Sequence, residues 1–289
     1  MGILRRFTMS KTCMYIALAV ILSFTMKVNS YSEGGDATMI RCAGADISQG
    51  KMHTTARLFM KANPGIKVDL AKAPTLDAGI DSVLNGKADV AIACRQINQT
   101  EKEQANRREV AISGRLIGRG PIVLVTHTSN AVSALTVEQV KGILTGEHTN
   151  WNQIGGSDQP IELLTPDSTS PGEVIFLQDE FLDGARFTDK SRQISSFLEI
   201  LREVSKRPGA IGCVRIKAIE IPRPAEEQIK ILAIKKNADG EAVLPSRENA
   251  RNGTYPLSRP YYVYYNSKAS HVVRNFVDFV VAKGTGPGF

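Results

Sequence analysis

From Thr38 onward the chain alternates apolar runs of strand length with stretches of helical spacing, and this alternation restricts its fold more than any other feature. The order "TMIRCAGA", "GKMHTTARLFMKANPG", "IKVDLAKA", "DAGIDSVLNGK", "ADVAIACR" reads strand, helix, strand, helix, strand. Parallel neighbours need a crossover of about a dozen residues or more, usually a helix, so the pattern predicts an α/β fold on a mostly parallel sheet. The punctuation agrees. Asn63-Pro64-Gly65 stops the first helix, Asp77 is placed to N-cap the second, and Gly86 follows that helix where a C-terminal glycine belongs.

A second unit follows "RLIGRGPIVLVTHTS", whose run Ile122 to Val125 reads as a buried strand. "LTVEQVKGILTG" has helical spacing, "PIELLTP" is a strand, and "GEVIFLQDEFLDG" is a helix stopped by Gly184. "SSFLEILREVSKRPGAIGCVRI" repeats helix, turn and strand. "YYVYYN" is rich in strand formers, and "SHVVRNFVDFVVAKG" is an amphipathic helix capped by Ser270 and ended by Gly284. The polar stretch Asn237 to Gly253 reads as loop. About 260 residues beyond the N-terminal segment exceed what one core usually fills, so two lobes are expected.

That N-terminal segment has the form of a secretory signal peptide over residues 1–30. Arg5, Arg6 and Lys11 lead into an apolar run from Cys13 to Phe24, and Val28 and Ser30 suit cleavage before Tyr31. The run of 12 residues is short of the roughly 20 that cross a bilayer, and no cysteine follows it to take a lipid. Export is the expectation. Removing the segment leaves 32 Lys and Arg against 29 acidic residues, a net charge of about +3 instead of +7. So small and scattered an excess excludes a strong case for nucleic acid or anionic membrane.

Cys42, Cys94 and Cys213 form no CxxC, haem or zinc spacing, and His53, His127, His148 and His271 lie far apart. Neither a metal nor another cofactor is expected. An oxidising compartment permits a Cys42–Cys94 disulfide, but the geometry is demanding and small buried residues are the preferred reading. No GxSxG elbow supports Ser168 or Ser170 as a hydrolase nucleophile, so an enzyme is not expected.

Five stretches, "ANPGIKVDL", "GIDSVLNGKADVAIACRQI", "LTVEQVKGILTGEHTNWNQIGG", "RPGAIGCV" and "YPLSRPYYVYYN", together resemble the phosphate-type solute-binding proteins of ABC importers. The resemblance implies a two-lobed type II periplasmic binding protein fold, each lobe a mostly parallel sheet flanked by helices. Lobe 1 is then 36–118 plus 258–289, and lobe 2 is 119–257. Read without the resemblance, Trp151 is a packing residue and Tyr255 to Pro260 a rigid connection between lobes. The resemblance also implies a periplasmic monomer that binds a small anion, phosphate or another oxyanion, or a polar solute, and works with an ABC permease.

In that family four loops hold the anion by hydroxyls and backbone N–H groups at helix starts, an arginine, and a proton-accepting aspartate. Matching the loops gives Asp46 and Ile47 in "CAGADI", Asp77 in "PTLDAGI", Arg95 after "VAIAC", and Ser168, Thr169, Ser170 and Gly172 in "TPDSTSPG". Each departs from the family. Acidic Asp46 and Asp77 stand where neutral donors belong, Arg95 replaces the aspartate, and Pro166 replaces the arginine. Arg95 against two carboxylates leaves this site one negative charge, and like charges ~4 Å apart repel by ~4 kcal/mol at an effective dielectric near 20. Two readings follow: the aspartates cap helices and plug the cleft, or the site takes a ligand with both donor and anionic parts. The expected function is solute binding, with a sensor or interaction module on the same fold as the alternative. If the loop assignment holds, Asp77→Ser with Pro166→Arg raises phosphate affinity in isothermal titration; an unchanged affinity contradicts it.

Overall fold

The computed structural model describes residues 38–44, 50–72, 78–219 and 227–284, so the expected export signal lies outside the described residues. In chain order these residues form β1 (Thr38–Gly44), α1 (Lys51–Ala62), β2 (Ile66–Lys72), α2 (Ala78–Leu84), β3 (Val90–Ala93), α3 (Gln99–Arg107) and β4 (Ile112–His127). Then come β5 (Ala134–Thr136), α4 (Val137–Thr145), a 3-10 turn (Trp151–Ile154), β6 (Glu162–Pro166), and α5 (Pro171–Ile175) continuing as a π turn (Phe176–Phe181). The remainder is β7 (Arg192–Ile194), α6 (Phe197–Val204), β8 (Ala210–Arg215), α7 (Ile216–Ile219), β9 (Ile229–Ile231), β10 (Ala233–Lys235), α8 (Arg247–Arg251), β11 (Ser258–Asn266) and α9 (His271–Gly284).

The main sheet runs β2-β1-β3-β11-β4-β8-β6-β7, with β9 also on β4. β1 lies parallel to β2 and β3, and β6 lies parallel to β7 and β8. The two parallel trios are joined by the antiparallel strands β4 and β11. β4 pairs with β11 up to Pro121 and with β8 from Ile122, so one strand passes between the two halves. This is the α/β plan that the alternation predicted, with antiparallel connecting strands as its added feature.

Local chemistry explains the elements. In α1, buried Met52, Thr55, Ala56 and Phe59 recur at helical spacing, and Gly65 adopts φ +93° just beyond. Phe59 packs edge-on against Phe276 and Phe279 of α9, with centroids 5.0 and 5.4 Å apart. Thr136 and Gln139 form a capping box at the start of α4, and Gly146 ends it in the left-handed region. Trp151 is buried and its indole N–H donates to the Gly209 carbonyl at 3.0 Å, which ties two of the sequence stretches noted above. Buried Tyr255 likewise donates its hydroxyl to the Ile122 carbonyl at 2.8 Å.

Cys42, Cys94 and Cys213 are buried thiols outside any disulfide, in line with the preferred reading. Three expectations need correction or completion. The stretch Asn237 to Gly253 contains α8, whose start is capped by Ser246 accepting from the Asn249 N–H at 2.9 Å. α3 was not anticipated, since it buries only Glu101 and Ala105 and so lacks an apolar face. The helix expected over "GEVIFLQDEF" changes from α to π at Phe176.

At the end of β1 the backbone leaves no room for a side chain. Gly44 has φ +147°, and a Cβ there would lie 2.1 Å from the Ile92 carbonyl oxygen; one on Gly79 would lie 2.9 Å from the Gly44 Cα. This close approach sets where β1, β3 and α2 deliver their loops. Gly44→Ala is expected to lower stability by about 1–3 kcal/mol through overpacking and strain, measured by urea denaturation. A change within about 0.5 kcal/mol, as at an ordinary surface site, contradicts the packing account.

Candidate functional site

Parallel α/β sheets present ligand sites at the carboxyl ends of their strands, so the loops after β1, β2, β3, β6 and β8 define the place to examine. Asp46, Ile47 and Asp77 lie outside the described residues. Arg95, Ser168, Thr169, Ser170 and Gly172 are described, and two of these loops are internally bonded.

Arg95 follows β3 and is buried. Its terminal nitrogens donate to both oxygens of buried Glu101, at 2.9 and 2.8 Å, and one donates also to the Gln96 carbonyl at 2.9 Å. Glu101 is in turn the N3 residue of α3, in a capping box with Asn98. The charge reckoning drawn from sequence is thereby altered. Arg95 was set against Asp46 and Asp77, but a local carboxylate six residues away already balances it.

In "TPDSTSPG" the missed residue is Asp167. Its carboxylate accepts from the Thr169 N–H at 2.8 Å and the Thr169 hydroxyl at 2.6 Å, forming an Asx turn. Ser168 is exposed; Ser170 is buried, begins α5 and makes no side-chain cap bond. Beneath them, the fully buried Thr165 hydroxyl has no hydrogen-bond partner among the described residues.

Three charged residues unnoticed in the sequence converge beside this loop. Glu173 of α5 is buried, and its carboxylate lies 2.6 Å from Arg215 Nε, 2.9 Å from another Arg215 nitrogen and 3.0 Å from Arg259. Arg259 lies on β11 opposite Gly120, and Arg215 ends β8 opposite Ile122, where β4 passes between the halves. The Arg259 guanidinium covers the Tyr261 ring at 4.6 Å and bonds its hydroxyl; Arg215 covers Phe197 at 5.1 Å.

More cations gather at the start of α1. The Lys217 ammonium, just beyond Arg215, approaches to 3.8 Å of where a Gly50 Cβ would be. Burial and the nearby Arg247 guanidinium hold the Lys51 ammonium below its ordinary pKa range. Gly50 brings no side-chain cap, and the first turn of α1 has no acidic residue. Lys217 lies just beyond β8 and Arg247 opens α8, which packs on β4 and β11, whereas α1 packs on β2 and α9. A further bond joins the halves: the Gln96 N–H donates to Glu180 of the π turn at 3.0 Å.

Among the described residues, no group of His, Cys, Asp and Glu is arranged to hold a metal ion, and no helix is long and apolar enough to cross a membrane.

A family model described as PBP superfamily domain matches residues 29–283. SphX of Synechococcus elongatus is 28% identical over 235 residues, covering 78% of this chain and 67% of that protein. The phosphate-binding protein PstS of Staphylococcus haemolyticus is 26% identical over 229 residues, covering 77% of this chain and 70% of the relative. Among solved structures, an ABC-type phosphate transport receptor from Vibrio cholerae superposes with a TM-score of 0.70 at 22% identity, over 84% of this chain and 93% of that one. PstS from Borrelia burgdorferi gives 0.67 at 21% identity, over 86% and 97%. At such identities the structural likeness speaks for the fold.

Glu173→Gln is expected to destabilise the chain by about 3–5 kcal/mol in urea denaturation, because it removes the buried carboxylate that two guanidiniums share. Arg207→Gln, which breaks a surface pair with Glu162, is expected to cost about 1 kcal/mol or less. Equal losses would contradict the burial argument. Glu180→Ala is expected to speed hydrogen exchange at the Gln96 amide; an unchanged rate would mean that the bond between the halves contributes no protection.

Proposed function

Because this chain belongs to the PBP superfamily domain family, we propose that it is an exported, monomeric solute-binding protein that closes two lobes on a small anion and delivers it to an ABC-type permease. Phosphate or another oxyanion is the favoured ligand class. In this reading lobe 1 is 36–118 with 258–289, lobe 2 is 119–257, and β4 and β11 form the hinge. Asp46, Ile47, Asp77, Ser168, Thr169, Ser170 and Gly172 are kept as candidate ligand residues. Arg95 forms part of its wall instead of gripping the ligand, since Glu101 already holds it.

The observation that carries the reading is the meeting of Lys51, Lys217 and Arg247 at the start of α1. Partial burial and the Arg247 guanidinium hold the Lys51 ammonium below its ordinary range, and an anion beside it would favour the charged form. An anion at this place would relieve the repulsion and accept from N–H groups at a helix start. The electrostatic objection raised by Asp46 and Asp77 loses its premise, because it counted Arg95 and none of these cations. The Staphylococcus haemolyticus relative, named as a phosphate-binding protein, also favours solute binding over the sensor alternative.

Isothermal titration of residues 31–289 with phosphate, sulfate, molybdate and small carboxylates tests this. Micromolar or tighter binding of at least one oxyanion is expected, weakened about tenfold by Lys217→Ala, the loss of one charge-assisted hydrogen bond. A folded chain that binds none contradicts the reading. The sign of the pH dependence follows from Lys51. The anion favours its charged form, so sulfate affinity falls as pH rises through the depressed pKa of the ligand-free protein. Lys51→Met flattens that alkaline limb, and an unaltered limb would exclude Lys51 from the site.

A further inference from the structure

We infer that Glu180 sets how long the two lobes stay closed on their ligand. Its carboxylate latches the Gln96 N–H from across the opening, and Arg95 and Tyr264 are positioning residues that hold this N–H in place. The inference deepens the anion-binding reading and rests on it. It also accounts for Arg95, which is buried and engaged by Glu101.

The contact is long-range. Gln96 follows β3, and Glu180 lies 84 positions later in the π turn after β6. Their bond, 3.0 Å long, runs from the backbone of one half to a side chain of the other. In the proposed lobes it joins 36–118 to 119–257, so opening them about β4 and β11 breaks it.

Both ends are fixed. Arg95 donates to the Gln96 carbonyl at 2.9 Å while it grips Glu101. The hydroxyl of buried Tyr264, on β11, accepts from the Ile97 N–H at 2.9 Å and donates to the Arg95 carbonyl at 3.3 Å. The backbone on either side of the Gln96 N–H is thereby tied down, and Gln96 itself is exposed. Opposite it, Glu180 stands between exposed Asp179 and buried Phe181. Phe176, Leu177 and Phe181 anchor the π turn in the apolar core of its half, and the Leu182 N–H closes the turn on the Leu177 carbonyl at 2.9 Å. Wide turns of this kind inside helices recur at functional sites.

Two groups set in advance lose little freedom when they bond. A bond made only in the closed form raises the population of that form, and with it the apparent affinity. It slows opening and leaves the encounter with ligand unchanged. Electrostatics alone predicts the reverse, because removing a carboxylate speeds the arrival of an anion and favours its binding. The sign of the effect therefore separates a latch from a charge.

Stopped-flow arrival and release of phosphate and sulfate test the latch, together with the distance in the ligand-free chain between spin labels on exposed positions 102 and 189, through Lys102→Cys and Asp189→Cys. Glu180→Ala is expected to release the bound oxyanion about three- to tenfold faster, with an unchanged arrival rate, and to lengthen the label distance. Glu180→Gln, which keeps an acceptor without the charge, is expected to fall between wild type and Glu180→Ala. Tyr264→Phe, with Glu180 intact, is expected to speed release as well; an unchanged rate overturns the positioning role. Asp183→Asn breaks an exposed pair with Lys141 within one half and changes neither rate nor distance. Oxyanion binding by the wild type with slower or unchanged release from Glu180→Ala overturns the latch alone, and so does equal acceleration by Asp183→Asn. Absence of oxyanion binding by the wild type overturns both this inference and the anion-binding reading.

Discussion

The antiparallel ladder between β4 and β11 is the constraint on which the other features depend, because its residues serve both halves of the sheet. β4 spends its first part against β11 and its last part against β8. Buried Tyr255 reinforces the passage by bonding the Ile122 carbonyl, and the Ile122 N–H donates to the Leu257 carbonyl at 2.9 Å. Burying backbone polar groups here is tolerable only because each finds such a partner. The same passage sets Arg259 of β11 opposite Gly120 and Arg215 of β8 opposite Ile122, so both guanidiniums lie along β4.

The electrostatics follow from that placement. Glu173 is drawn into the interior between two arginines, an arrangement whose desolvation cost only close, bonded geometry can offset. The cations at the start of α1 differ in kind, since Lys51 is pushed toward its neutral form by burial and by Arg247. The first group is matched by Glu173; the second is where the proposed anion would sit. Lys217 follows Arg215 so closely along the chain that the two groups adjoin.

Much of the fold was legible because it rests on local signals. Hydrophobic spacing and glycine stops located α1, α4 and α9, and the alternation of elements implied the parallel trios. α3 was missed because its buried residues are Glu101 and Ala105, yet the Asn98 to Glu101 capping box was visible in the sequence. Asp167 was also visible as an Asx-turn former and went uncounted. The site was less legible. Glu173 and Arg215 are 42 positions apart, and Lys217 meets Gly50 only through the sheet topology. No periodicity or motif encodes such meetings. The partner of Arg95 was obscured for a different reason, since loop matching drew attention to Asp46 and Asp77 while Glu101 waited within the next helix.

The central claim is that an anion occupies the space where cations from both halves of the sheet meet. Backbone amide chemical shifts followed during a sulfate titration test it most directly, because they report position as well as affinity. The account predicts saturable shifts, with one common dissociation constant, at Lys51 and Met52 at the start of α1 and at Ile216 and Lys217 after β8. Saturable shifts confined to other parts of the chain, or none at any sulfate concentration, would contradict it.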